Sequence, residues 1–342
     1  MTDISFVIIG KNAEWSIARL IESIIADAPS HYASEIIYVD SASTDRTLQV
    51  VSQYPVRIVG LGADQKLCAS AGRFVGSQYA TGRYITFLDS DMELLCGWLE
   101  RAVRLLERHP KIAVVSGIQV DAGPGLVGRT SDESGHDGDR FSDITFAGSA
   151  AVFRREVLQS VGTWNPYIVS DEEPELCLRI RRAGYRIVQL QCPSVHHYGY
   201  SPPTIRALLS RRRRHLFVGY GQVIRYHLRT GLLPSYLRER GWVVMPIMVV
   251  LAGVIALLVM LLSGNLYWVA GYLCIVPLAI AADALRSRSV HKALFHVLHR
   301  TLILEGTIRG FVRRPYPPNG YLHDARQESG SSDPMVPARR RA

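Results

Sequence analysis

Between residues 5 and 200, short apolar runs alternate with longer stretches whose apolar positions recur every three to four residues. The runs at 5–10, 35–40, 56–59, 84–89 and 112–116 read as strands, the first of them as one buried on both faces. The stretches 15–25, 69–79 and 95–108 carry the helical period, with Trp15, Ile17, Ala18, Ile21, Ile24 and Ile25 on one stripe. Asp45 stands where it opens a helix through Leu48, Val50 and Val51. Gly82 is expected to end the 69–79 helix, and His109-Pro110 closes the next. Strand character returns at 146–153 and 185–190, with helices predicted over 155–161 and 171–182. The last of these opens with acids and Pro174, as helix N-termini do, and ends at Gly184. Strands alternating with helices predict an α/β fold: a mostly parallel, Rossmann-like sheet flanked by helices. Residues 121–143, rich in Gly, Asp and Ser, interrupt the pattern and read as a mobile loop, a candidate lid.

Beyond residue 204 the pattern changes. Residues 205–240 are basic and amphipathic, with Arg211 to Arg214 consecutive, which suits helices lying in a headgroup region. Residues 242–262 carry no charge and are long enough to cross a hydrocarbon core of roughly 30 Å. A second apolar run covers 265–282, joined to the first by Ser263, Gly264 and Asn265. Arg238 and Arg240 precede this hairpin, and Arg286, Arg288 and Lys292 follow it. Positive residues at both outer ends place both in the cytoplasm, and Trp242, Tyr267 and Trp268 stand as interfacial anchors. Residues 291–314 alternate apolar and basic character, like another interfacial helix. The chain thus divides into 1–203, an α/β domain; 204–241, basic interfacial helices; 242–285, a transmembrane hairpin; 286–325, a membrane-surface helix; and 326–342, a disordered tail.

Charge sharpens this division. Residues 1–199 carry a net charge of −5 and residues 200–342 carry +14. The basic residues flank apolar runs, so an anionic membrane surface fits them better than nucleic acid does. Five cysteines, with no C-x-x-C pair, speak against a disulfide framework or a zinc site. The N-terminus has neither a positive region nor a cleavable apolar segment, so the front half is expected in the cytoplasm, on a chain held by two spans in the cytoplasmic (inner) membrane.

The candidate chemistry centres on residues 84–93. Their apolar run stops at Asp89 and Asp91, and open α/β sheets bind ligands at the carboxyl ends of their strands. Two hard oxygen donors there suit a divalent cation also held by a substrate's phosphates. Asp40 ends a neighbouring strand in the same way.

Six ordered landmarks carry a resemblance: 5–12 (SFVIIGKN), 38–47 (YVDSASTDRT), 71–76 (AGRFVG), 80–91 (ATGRYITFLDSD), 147–156 (AGSAAVFRRE) and 172–185 (EEPELCLRIRRAGY). In this order and spacing, residues 4–200 resemble the family-2 glycosyltransferases, inverting enzymes of the GT-A fold that use nucleotide-diphosphate sugars. The resemblance implies a UDP-, GDP- or dTDP-linked donor and a Mn²⁺ or Mg²⁺ cofactor. It implies Asp91 on the metal, Asp89 on the metal or ribose, and Asp40 on the base or ribose. Arg73 would lie near the base and diphosphate, and Lys11 and Asn12 on the donor side. Phe74 stands where the family often has Asn. Of the pair Glu172-Glu173, Glu173 takes the place of the family's base, with Glu172 as its rival. His196 or His197 would add a metal or phosphate contact. The run Gln222-Val-Ile-Arg-Tyr226 resembles the Gln-x-x-Arg-Trp of processive synthases. With the membrane hairpin, the expected acceptor is a lipid-linked or free saccharide at the cytoplasmic face, for surface polysaccharide or glycolipid synthesis. A polyprenyl-phosphate sugar synthase, a processive synthase and a non-catalytic scaffold are the alternatives.

Overall fold

The computed structural model of the chain describes residues 2–122, 140–148, 150–199, 203–316, 318, 320 and 321. The 326–342 tail and most of the candidate lid lie outside these residues. Two units divide them. The first comprises residues 1–168, 172–200 and the chain from Tyr316 onward; the second comprises 169–171 and 201–315.

The first unit is a sheet flanked by helices. Its elements in order are β1 (Ile4–Gly10), α1 (Ile17–Asp27), β2 (Ser34–Asp40), α2 (Thr47–Val51), β3 (Arg57–Gly60), α3 (Ala69–Tyr79), β4 (Tyr84–Asp89), β5 (Met92–Leu94), α4 (Trp98–Arg108), β6 (Ile112–Asp121), β7 (Phe141–Asp143), β8 (Ala151–Arg154), α5 (Arg155–Val161), α6 (Glu172–Arg182) and β9 (Arg186–His197). Strand order is β3-β2-β1-β4-β8-β6-β9-β5, with β7 beside β9. From β3 to β4 every ladder is parallel, as the alternating pattern predicts. β8 then runs antiparallel to both β4 and β6, so the sheet as a whole is mixed. An antiparallel neighbour needs no crossover connection, so β8 departs from the βαβ pattern of the strands before it. Apolar side chains on both faces of β1, β2 and β4 are buried, among them Phe6, Ile8, Val7 and Phe87, which is why these strands read as unbroken apolar runs.

Two boundaries differ from expectation. Helix α3 ends at Ala80 in an extended conformation, and Gly82 lies beyond it, donating its amide to Ser5 Oγ at 2.8 Å. β9 runs on through Pro193 to the two histidines, because bulges in its pairing with β6 absorb the proline.

The second unit is helical: α7 (Ile205–Arg213), α8 (Val218–His227), α9 (Leu233–Arg240), a short 3₁₀ turn at Gly241–Val243, then α10 (Met245–Ser263), α11 (Tyr267–Ser287) and α12 (Val290–Val312). α10 and α11 have mean hydropathies of 2.9 and 1.8 and are long enough to cross a membrane, with none of either apolar window buried in the protein. After α12 the chain re-enters the first unit. There Tyr321 is buried against Phe74 and Tyr167, and its hydroxyl donates to the Lys66 carbonyl at 2.7 Å.

Candidate active site

Parallel pairing sets the site. Gly10 lies beside Asp40, and Ile9 beside Asp89, so the ends of β1, β2 and β4 form one edge. The first two loops lock together there. Asn12 takes a left-handed backbone, φ 54°, which Asn tolerates better than most residues. In that turn its side-chain oxygen accepts from the Thr44 amide at 2.8 Å, and its own amide donates to Ser43 Oγ at 2.8 Å. Asp40 is buried and accepts from the Ser43 amide and hydroxyl at 2.8 and 2.6 Å, a side-chain turn that shapes the loop. Lys11 is exposed on the same edge.

Arg73, on α3, is the centre. Its side chain is 2% exposed. Nη2 donates to Asp89 Oδ1 at 3.0 Å, and Nη1 donates to Glu172 Oε1 at 2.8 Å and to Glu173 Oε1 at 3.0 Å. Behind it stands the Trp164 ring, 5.2 Å from the guanidinium carbon, packed edge-on with Phe87 and Phe153. An arginine with an aromatic wall on one side and three carboxylates on the other is held in a dry setting, where each unmatched charge is expensive. The charges do not balance: three acids face one guanidinium. Burial, then the neighbouring Glu173 carboxylate, push the Glu172 carboxyl up to about 8. Arg73, which the resemblance implies beside the base and diphosphate, therefore also organises the acids. Its neighbour Phe74 is buried and packs on Tyr321. Tyr321 falls in the segment expected to form a membrane-surface helix, and no pattern in the sequence marks it for this core.

Asp91, just past β4, meets a histidine, but not His196. Successive residues of a strand point to opposite faces, and it is His197 whose Nε2 lies 3.6 Å from Asp91 Oδ2. His197 Nδ1 lies 3.1 Å from Asp121 Oδ1. Hydrogen bonding to the two carboxylates, Asp91 foremost, raises the imidazole to about 9. His196, the other candidate for that contact, leaves its Nδ1 buried without a partner among the described residues. Gly199 lies against Asp91: a side chain there would come within 1.9 Å of Asp91 Oδ2. Among the described residues, no group of three or more His, Cys, Asp or Glu is arranged to hold a metal ion. Asp91 and His197 fit as a partial set, an oxygen and an imidazole donor that phosphate oxygens would complete.

The sheet, with acids at the ends of β2 and β4 and a carboxylate pair opening α6, defines an α/β domain of the GT-A type. Residues 5–162 match the family described as Glycosyl transferase family 2, and residues 84–282, more than half the chain, match Glycosyl transferase family group 2. The chain belongs to this family of glycosyltransferases. It is 35% identical over 118 residues to polypeptide N-acetylgalactosaminyltransferase 3 of Taeniopygia guttata, covering 33% of this chain and 19% of that one. Over 229 residues it is 24% identical to the human polypeptide N-acetylgalactosaminyltransferase 3, covering 56% and 36%. The matched parts thus span well under half of these relatives. A crystal structure of GalNAc-T7 with UDP, GalNAc and Mn²⁺ shares the fold at TM-score 0.50 and 17% identity, covering 66% of this chain and 48% of that one.

Proposed function

We propose that the chain is a membrane-anchored, inverting glycosyltransferase. It moves a sugar from a nucleoside-diphosphate donor to an acceptor held at the cytoplasmic membrane face, a lipid-linked saccharide being the acceptor class. The observation that carries the reading is the buried Arg73 joining Asp89 to Glu172 and Glu173. One cation thereby ties the strand end where a diphosphate would leave to the helix start where an acceptor hydroxyl would attack. The exposed faces of α10 and α11 support the anchor, and the anchor is what suggests a lipid-borne acceptor.

The roles divide by exposure. Glu173 is the more exposed of the pair, 22% against 7% for Glu172. A base must reach its proton, so Glu173 receives the acceptor proton. Glu172, whose raised carboxyl holds a proton at neutral pH, stays with Arg73. Asp40 and Asn12 shape the loop that would receive the base and ribose, with Lys11 exposed on the same edge. Asp91, with Asp89 and His197, would hold Mn²⁺ or Mg²⁺ with the donor's phosphates. When bound, such an ion offsets charge on the departing diphosphate.

The test uses the full chain in detergent with UDP-, GDP- and dTDP-sugars. UDP-N-acetylgalactosamine comes first, because the relatives are N-acetylgalactosaminyltransferases by name. A fitting donor is expected to raise the unfolding temperature only when Mn²⁺ or Mg²⁺ is present, and nucleoside diphosphate is released when lipid-linked saccharide is added. Failure of every donor to shift the transition or release nucleotide would defeat the reading.

Gly199→Ala offers a sharper check on Asp91. Its methyl group would push the Asp91 carboxylate aside, so donor affinity in Mn²⁺ should fall by about 10- to 100-fold, the cost of losing a ligand's supporting contact. Binding of the nucleotide without cation should hardly change. Calorimetric titration with and without Mn²⁺ separates the two, and an equal loss in both would reject the assignment.

A further inference from the structure

The residues just before the candidate base are held from elsewhere in the chain. Val169, Ser170 and Asp171 belong to the helical unit, although the residues on either side belong to the sheet unit. Each is individually fastened. The Val169 amide donates to Gln222 Oε1 on α8 at 3.1 Å. The Ser170 hydroxyl donates to the Leu216 carbonyl. The Tyr236 hydroxyl of α9 donates to Asp171 Oδ2 at 2.5 Å, and Arg240, one turn further along α9, pairs with Oδ1. Gly219 makes room for the segment: a side chain there would come within 2.1 Å of the Ser170 carbonyl.

Asp171 is an unusual residue in this place. An Asp before a helix ordinarily turns its carboxylate onto the helix's own first amides. Here both oxygens accept from α9, the side chain is 2% exposed, and the backbone is left-handed at φ 65°. Such a conformation persists only where its surroundings over-determine it, and it gathers near functional sites. Tyr236, itself buried, and Arg240 are four residues apart, on one face of α9. Arg240 also lies over the Trp242 ring, 5.5 Å from its centroid, and Trp242 stands just before α10.

We propose that Asp171, gripped by Tyr236 and Arg240, is a positioning residue: it fixes the backbone from which Glu172 and Glu173 project and so sets where the base meets the acceptor hydroxyl. The grip runs from α9, next to the first apolar helix, directly into the residue preceding the pair. The proposal rests on reading Glu173 as the base. Tyr236→Phe removes one hydroxyl and keeps the ring, and Asp171→Asn keeps the shape but loses the charge held by Arg240. A small displacement of a reacting group costs rate far more than binding, so each should lower kcat by roughly 10- to 100-fold. The donor KM should stay within about twofold, because the donor-side acids Asp40, Asp89 and Asp91 stand at or just past the ends of β2 and β4 and not on this segment.

The experiment measures kcat, donor KM and unfolding temperature for Tyr236→Phe, Glu173→Gln and their combination in the full chain. If the grip acts through the base, Tyr236→Phe slows the native enzyme but adds nothing to Glu173→Gln. Full turnover in Tyr236→Phe, with Glu173→Gln inactive, overturns the grip and leaves the base reading intact. Multiplicative losses in the combined variant also overturn it, as does a loss confined to donor KM. Normal turnover in Glu173→Gln would instead remove the base reading itself.

Discussion

Replacing Arg73 with alanine is expected to lower folding stability by about 3–5 kcal/mol and to abolish transfer. The cause is what stays behind. Asp89, Glu172 and Glu173 each bond the guanidinium, and Glu172 is almost fully buried. Without Arg73 the carboxylates of Asp89 and Glu173 face one another, the buried Glu172 carboxyl and the Trp164 ring, with no donor in place of the fork. Some cost would be relieved by proton uptake, so the variant's deficit should shrink as pH falls from 8 to 5. Arg73→Lys keeps one charge but not the planar set of donors that reaches acids on two sides. It should recover part of the stability and little of the activity. Urea unfolding, paired with nucleotide release, reads both. If Arg73→Ala folded as tightly as the native chain, the arginine would not be the keystone its geometry implies.

Much of this site is legible in the chain. β1, β2 and β4 are short apolar runs stopping at Gly10, Asp40 and Asp89, and period and punctuation place them within a residue or two. The acids at their ends fall on one edge because parallel strands start from one side. Other features depend on distant contacts that no local pattern carries. Arg73 sits among residues typical of a helix surface packed on a sheet, and nothing nearby shows that it will meet Glu172 and Glu173, about a hundred positions later. The choice between His196 and His197 turns on strand phase, and the bulges between β6 and β9 break the simple count from Tyr185. Tyr321 follows a long helix and looks like tail, because its partners Phe74 and Tyr167 are remote in sequence. The antiparallel pairing of β8 with β4 and β6 is equally hidden, because apolar periodicity does not encode strand direction.

Glu173→Gln should reduce kcat by about 10²- to 10⁴-fold, the range for loss of a positioned general base, while leaving donor binding within a few-fold. Glutamine keeps an acceptor for Arg73 Nη1, so the cluster's geometry survives and only proton acceptance is lost. Glu172→Gln is the informative partner. In the native chain the Glu172 carboxyl titrates higher when folded than when unfolded, held up by burial and by Glu173. Its neutral form is therefore the one the fold prefers. The associated stability is present at acidic pH and is lost as pH rises through about 8, where the buried carboxylate must ionise. Glutamine does not ionise, so the unfolding temperature of Glu172→Gln should gain on the native chain steadily from pH 6 to pH 9. Its turnover at neutral pH should fall less than about tenfold, because a carboxyl already protonated cannot be the acceptor of the hydroxyl's proton. Reversed magnitudes, a collapse of kcat in Glu172→Gln and near-native turnover in Glu173→Gln, would move the base one residue upstream. The native rate would then climb with pH toward the same high value. A flat profile with Glu173→Gln inactive keeps the base where the more exposed carboxylate stands.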